Sequence, residues 1–275
     1  MRLSDDFTFS QSSLQDVVDC PRRFELRYIE GIRYPSLEAE PALKHEEHMR
    51  QGAQFHKMVQ QHLVGVPADR LATSVSDDDV LSGWWETFTA SGLKGLPEQR
   101  HTETTLETSI GEYRLIAKYD LLAIDPDRRA MIIDWKTSHK IPRKNWLEKR
   151  LQTTVYLYVL AQAGAHLNAG NPILPENISM TYWFVGHDGK QVTFDYSAEQ
   201  MQADEATLLR LISDTASANL FPLTEDTRHC KFCTYRSLCN RGETAGQWDD
   251  FEVGETANEG DDFELDFDQI AEIEF

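Results

Sequence analysis

The sequence predicts an α/β protein built on a mixed central sheet flanked by helices. Three observations predict it. Helical patterns fill residues 10–30, 46–64 and 77–90, and three consecutive strand patterns fill 102–136. A helix, two more strands and a long amphipathic helix then follow. The chain has 275 residues, 40% hydrophobic and 10% aromatic, ample for a core.

The elements can be justified in order. Residues 10–30 read as helical, with Ser10 as N-cap and a second start at Cys20-Pro21, where proline suits the first helical turn. Pro35–Pro41 reads as a loop, and Glu46–Val64 and Asp77–Ala90 as helices. TETTLETSI, EYRLIAKYDLLAI and AMIIDWK then read as strands, separated by turn signals at Ile110-Gly111-Glu112 and Asp125-Pro126-Asp127. Pro142–Ala165 is expected as a helix and Ile178–Val185 as a strand rich in β-formers. His187-Asp188-Gly189-Lys190 turns into the strand QVTFDY, and Ala198–Asn219 is expected as the last helix.

Charge divides the chain. Its net charge is −19, yet 13 of its 46 acids lie in Gly242–Phe275, which has no Lys or Arg. Residues 1–241 therefore carry 33 acids against 27 bases, a net of −6. The sequence divides accordingly into a domain at 1–241 and an acidic tail at 242–275 whose composition predicts disorder. The tail is either a partner-binding segment, a mask for the protein's own basic groove, or a solubilising appendage. Lys136–Arg150 holds six bases (Lys136, Lys140, Arg143, Lys144, Lys149 and Arg150) against one acid, Glu148. That patch either meets phosphates or is a solvated helix face. There is no run of about 18 apolar residues and no apolar signal-peptide centre, so a cytoplasmic protein without membrane contact is expected. The sequence has no G-x-x-x-x-G-K-[ST] phosphate loop.

The third strand turns ionic at its end: Ala130-Met131-Ile132-Ile133-Asp134-Trp135-Lys136-Thr137. Alternation puts Met131, Ile133 and Trp135 on one face and Ile132, Asp134 and Lys136 on the other. Ile116, Lys118 and Asp120 share a face of the preceding strand, so a hairpin would bring Asp120 near Asp134. Paired carboxylates repel, and a divalent cation relieves the repulsion. Lys136 could then orient water or stabilise negative charge. Taken alone, the pair could equally be a surface Asp–Lys contact.

The chain has four cysteines: Cys20, and Cys230, Cys233 and Cys239 spaced C-x2-C-x5-C. In a cytoplasmic protein this usage points to metal rather than to disulfides, either an iron–sulfur cluster or a structural zinc.

Together these residues resemble the PD-(D/E)XK nuclease superfamily in its RecB/AddB-like branch. Asp120 followed by Ile132-Ile133-Asp134-Trp135-Lys136-Thr137 matches that branch's strand motif, although Ala117 stands where a glycine is usual. Gln152 and Tyr156 match its Q-x-x-x-Y element, 16 residues after the lysine. The cysteines resemble the "iron staple" of AddB-type domains and CRISPR-associated RecB-like exonucleases, in which one N-terminal and three C-terminal cysteines hold a [4Fe–4S] cluster. The resemblance covers roughly residues 10–241.

It implies a restriction-endonuclease-like core whose terminal segments are joined by the four-cysteine cluster. It implies an Mg2+- or Mn2+-dependent DNA exonuclease, favouring single strands, in repair or DNA processing. Asp120, Asp134 and Lys136 would be catalytic. His56, Asp120, Asp134 and the Trp135 backbone carbonyl would bind the metal, with His48 and His62 as nearby decoys. Glu103 or Glu107 would support the site. Gln152, Tyr156, Arg143, Lys144, Lys149 and Arg150 would contact DNA. Cys20, Cys230, Cys233 and Cys239 would hold the cluster, with zinc as the other occupant. A non-catalytic subunit of a helicase–nuclease or CRISPR adaptation complex is the competing role, and any helicase or repair partner would be a separate chain.

Overall fold

The computed structural model describes residues 3–32, 40–231 and 233–242. The acidic segment 243–275 lies outside them, as does most of the loop expected at 35–41.

A short strand, β1 (Thr8–Ser10), leads into α1 (Gln11–Asp19). Ser10 Oγ accepts the Ser13 N–H, and Ser13 Oγ accepts the Ser10 N–H, which satisfies two otherwise orphaned donors. α2 (Pro21–Phe24) starts on proline and continues into a π-helical turn, Glu25–Ile29. Then come α3 (Glu40–Leu63), α4 (Ala68–Ser74) and α5 (Asp79–Ser91), whose cap Asp78 accepts the N–H groups of Val80 and Leu81. The three strand patterns form β2 (Gln99–Ile110), β3 (Tyr113–Asp125) and β4 (Arg129–Lys136).

The helix expected over 142–165 is two, α6 (Lys144–Leu147) and α7 (Leu151–Ala163), because Arg150 is extended at φ −69°, ψ 141°. The Thr153 hydroxyl donates to the Leu147 carbonyl at 2.6 Å across the break. The chain continues through β5 (Ile178–Phe184), β6 (Lys190–Asp195) and α8 (Ala198–Ser217).

The mixed sheet has six strands. β2 runs antiparallel along one edge of β3, from Gln99↔Ile124 to Ile110↔Tyr113. The other edge of β3 is shared. β1 pairs parallel with Arg114–Ile116, and β4 pairs antiparallel with Leu121–Asp125. β5 lies parallel to β4, reached through α7, and β6 closes antiparallel on β5.

Both faces of the sheet are covered. Leu14, Val155, Tyr158, Leu208 and Ile212 from α1, α7 and α8 pack on one. Phe55, Trp84, Trp85 and Phe88 from α3 and α5 pack on the other. Helix α7 is buried on nearly every side, which explains why it is apolar all round rather than amphipathic. No helix among the described residues is long and apolar enough to cross a membrane.

Candidate active site

The site forms at a fork in the sheet. On the edge of β3 that β1 and β4 share, residues 117–120 lie between their two pairings. Pairing with β4 ends at Leu121↔Ile133, while β4 stays paired to β5 through Asp134↔Tyr182 and Lys136↔Phe184. A side chain fills the opening: the Trp135 N–H donates to Asp120 Oδ2 at 2.9 Å.

Alternation along β4 then sorts the side chains. Trp135 goes into the α3–α5 layer, edge-on to Phe88 at 5.4 Å and Trp183 at 5.2 Å. Asp134 and Lys136 leave on the other face, toward α7.

The strands opposite are distorted where Asp120 lies. Leu115, Ala117 and Tyr119 pack in the α7-side cluster, but Leu121 belongs to the other cluster and Leu122 and Ile124 return to the first. The inward-facing positions therefore shift phase by one residue at Asp120. Across from it, between the pairs Thr102↔Leu121 and Thr104↔Tyr119, Glu103 has a left-handed backbone at φ 50°. Such a conformation at a non-glycine residue costs about 1–3 kcal/mol and clusters at functional sites.

The distortion gathers ligands. His56 arrives on α3, which runs close to the end of β4 because Gly52 has no side chain: a Cβ there would lie 3.1 Å from Thr137 Oγ1. His56 Nδ1 is 3.3 Å from Asp120 Oδ1. Ligand atoms of His56, Glu103 and Asp120 lie within 4.8 Å of one another, and Lys118 Nζ sits 2.8 Å from Glu103 Oε2. Glu107 is further along β2, exposed beside Arg114, so of the two glutamates it is Glu103 that joins the site.

Asp134 stands next to this set with different partners. Its Oδ2 is 3.0 Å from Lys136 Nζ, and its Oδ1 accepts from Gln152 Nε2 at 2.7 Å. Lys136 Nζ also donates to Gln152 Oε1 at 3.2 Å and lies 5.6 Å from the Tyr182 ring centre. One amide thus holds both the acid and the lysine.

Burial pushes the Asp134 carboxyl up to about 6; Lys136 opposes the rise and the Asp120 charge adds to it. Burial also acts to raise Asp120, but His56, the Trp135 N–H and Lys136 outweigh it and hold Asp120 below the usual carboxylate range. Burial acts to lower His56, and the charge of Asp120 outweighs that, so the imidazole lies above its ordinary value. An imidazole nitrogen and the Glu103 and Asp120 carboxylates within 4.8 Å of one another suit a hard or borderline divalent cation, which would take the place of the imidazolium proton.

The remaining sequence-predicted residues fall in distinct places. Gln152 and Tyr156 are both buried, because α7 is enclosed. Tyr156 packs on Tyr119 at 4.9 Å and its carbonyl accepts the Tyr119 hydroxyl at 3.0 Å. Arg143, Lys144 and Lys149 are exposed and Arg150 is half-buried. Lys144 Nζ donates to the Thr193 carbonyl at 2.9 Å, and the Arg150 guanidinium lies 4.8 Å from the Trp146 ring centre. His48 packs on Trp84 and His139, and His62 bonds the Val66 carbonyl at 3.2 Å, both outside the site. Lys118 carried no motif of its own; its place on the Asp120 face of β3 was the available signal.

The cysteines meet at the far end of the chain's path. Cys20, between α1 and α2, lines one cavity with Cys230, Cys233, Cys239 and Arg23. All four thiols are free. Burial raises Cys233 to about 11, against the opposing charge of Arg23, and it raises Cys230 and Cys239 too. Arg23 is itself buried between Asp16 (2.6 Å) and Asp19 (3.0 Å).

No curated protein matches the chain. Among solved structures, SSO0001 is 17% identical, with 84% of this chain and 85% of that one covered and a TM-score of 0.43. A protein described as "Putative exonuclease" from Eubacterium rectale is 10% identical, with 86% and 89% covered and a TM-score of 0.47. A sequence profile of the PD-(D/E)XK nuclease superfamily matches residues 8–240, from β1 through every strand of the sheet to the last cysteine. With its forked strands carrying Asp120, Asp134 and Lys136, this chain belongs to the PD-(D/E)XK nuclease superfamily.

Proposed function

We propose that the protein is a metal-dependent DNA nuclease that acts as an exonuclease on single-stranded ends. The observation that carries this reading is the convergence of His56, Glu103 and Asp120 within 4.8 Å, beside an Asp134–Lys136 pair clamped by Gln152. His56, Asp120, Asp134 and the Trp135 carbonyl would hold Mg2+ or Mn2+, with Glu103 as a further oxygen ligand. A divalent cation held there supplies Lewis acidity, acidifying water and polarising the scissile phosphate. Lys136 Nζ orients the attacking water and offsets charge developing on the phosphoryl oxygens. Gln152 keeps Lys136 and Asp134 in register, and Arg143, Lys144, Lys149 and Arg150 meet the backbone phosphates.

The test is cleavage of end-labelled single-stranded DNA with Mg2+ or Mn2+ by wild type and by Asp134→Asn. Metal-dependent release of short products by the wild type alone is expected. A folded Asp134→Asn protein that cuts at the wild-type rate would overturn the assignment.

The four cysteines are assigned to a structural [4Fe–4S] cluster. Thiolates are the donors such a cluster takes, and the four cysteines line one cavity. Anaerobically purified protein should be brown and absorb near ~400 nm. Colourless protein carrying zinc would reverse the choice.

A further inference from the structure

The loop between the catalytic lysine and the α7 glutamine carries an aromatic side chain that neither the sheet nor the metal site uses. Trp146 is 36% exposed, although its neighbour in α6, Leu147, is fully buried. The Arg150 guanidinium lies over its ring at 4.8 Å from the centre. That is cation–π distance, to an indole that is otherwise partly exposed. Arg143 and Lys149 are exposed in the same short segment.

The neighbour of Trp146 in α6, Leu147, is linked to the surroundings of Lys136. The Leu147 carbonyl accepts from Thr153 Oγ1 at 2.6 Å, Thr153 Oγ1 is 2.8 Å from the Tyr182 hydroxyl, and Lys136 Nζ lies 5.6 Å from the Tyr182 ring centre. On the other side of Trp146, Lys144 Nζ ties α6 to β6 through the Thr193 carbonyl at 2.9 Å. A large side chain held out of the core, backed by a cation and anchored at both ends, has the properties of a stacking surface for a planar ring.

We propose that Trp146, backed by Arg150, is a base-stacking platform that holds one unpaired nucleotide beside the active site, so that the nuclease selects single strands. This rests on the nuclease reading above and assigns its strand preference to one residue. Stacking needs a free base face, which an internal base pair does not offer, whereas Arg143 and Lys149 meet phosphates of either form. Aromatic stacking tolerates any base, so the preference would be for single-strandedness and not for sequence.

The experiment measures anisotropy of a fluorescein-labelled oligothymidylate and of its duplex with oligoadenylate, in the Asp134→Asn background so that neither is cut. Trp146→Ala should weaken single-strand binding about tenfold, with Trp146→Phe retaining most of it and duplex affinity moving little. Replacing single nucleotides by abasic spacers should reproduce that loss at one position for Trp146, and cause no further loss there for Trp146→Ala. Equal losses on single strand and duplex, or an abasic profile identical in the two proteins, would overturn the platform. If wild type shows no metal-dependent cleavage the nuclease reading fails first; with cleavage intact, these outcomes judge the platform alone.

Discussion

The Asp120 carboxylate uses its two oxygens on different partners, His56 at 3.3 Å and the Trp135 backbone N–H at 2.9 Å. One acid therefore serves both the proposed metal site and the fork that shapes it. The two roles separate by substitution. Asp120→Ala should abolish cleavage and also destabilise the fold by about 1–3 kcal/mol, since the Trp135 N–H loses its acceptor. Asp120→Asn keeps an acceptor oxygen and should lose cleavage with most of the stability retained. Thermal denaturation alongside cleavage assays checks both.

Asp134 should make metal-free stability depend on pH. Its folded value is about 6 against the ordinary 3.8, so between these pH values the folded state holds more protons than the unfolded. Stability falls as pH rises through that window, by at most about 3 kcal/mol, and stays lower above it. In EDTA, the Tm of wild type relative to Asp134→Asn should drop between pH 4 and pH 6 and then level off. Added Mn2+ should restore more Tm at pH 7 than at pH 5, because the cation takes the place of the proton.

Glu103 sits in a left-handed backbone at φ 50° with its carboxylate near His56 and Asp120. Glu103→Gln should raise the Mn2+ concentration needed for half-maximal cleavage about tenfold or more, whereas Glu107→Gln should leave it unchanged. Glu103→Gly should share the metal defect yet raise Tm, since glycine adopts this conformation without strain. A metal titration followed by thermal melts separates ligand loss from strain relief.

Much of this was legible in the sequence, and what was not has identifiable causes. Period-2 alternation placed Trp135 in the core and Asp134 with Lys136 on the opposite face, because β4 is a regular strand between two neighbours. The same rule applied to β3 gave the face of Asp120 but not the phase shift there, since the apolar residues on both sides look continuous. The strand β1 is three residues long, too short for any period to show. Gln152 and Tyr156 were expected to reach out to DNA from a shared helix face. Spacing defines that face but not its direction, and enclosure of α7 by the sheet, α1 and α8 turns it inward.

That inward turn changes what Gln152 should do when replaced. Its amide bonds Asp134 at 2.7 Å and Lys136 at 3.2 Å, both on the α7 side of β4 and both in the proposed catalytic set. Gln152→Ala should lower kcat about tenfold or more with little change in KM, the signature of lost positioning rather than lost binding. A rise in KM with kcat intact would instead return Gln152 to direct contact with the strand.

The cysteine centre should act as a single unit joining the two ends of the domain. Cys20 lies at the junction of α1 and α2, while Cys230, Cys233 and Cys239 lie at the end of the described chain. With one ligand gone the others lose most of their reason to stay together, so single and double substitutions should cost nearly the same. Cys20→Ser, Cys230→Ser and the pair should each lose absorbance near ~400 nm and show similar drops in Tm. Limited proteolysis should then cut between α8 and Cys230 in all three and spare the wild type. Additive losses of Tm would show four independent buried thiols in place of one centre.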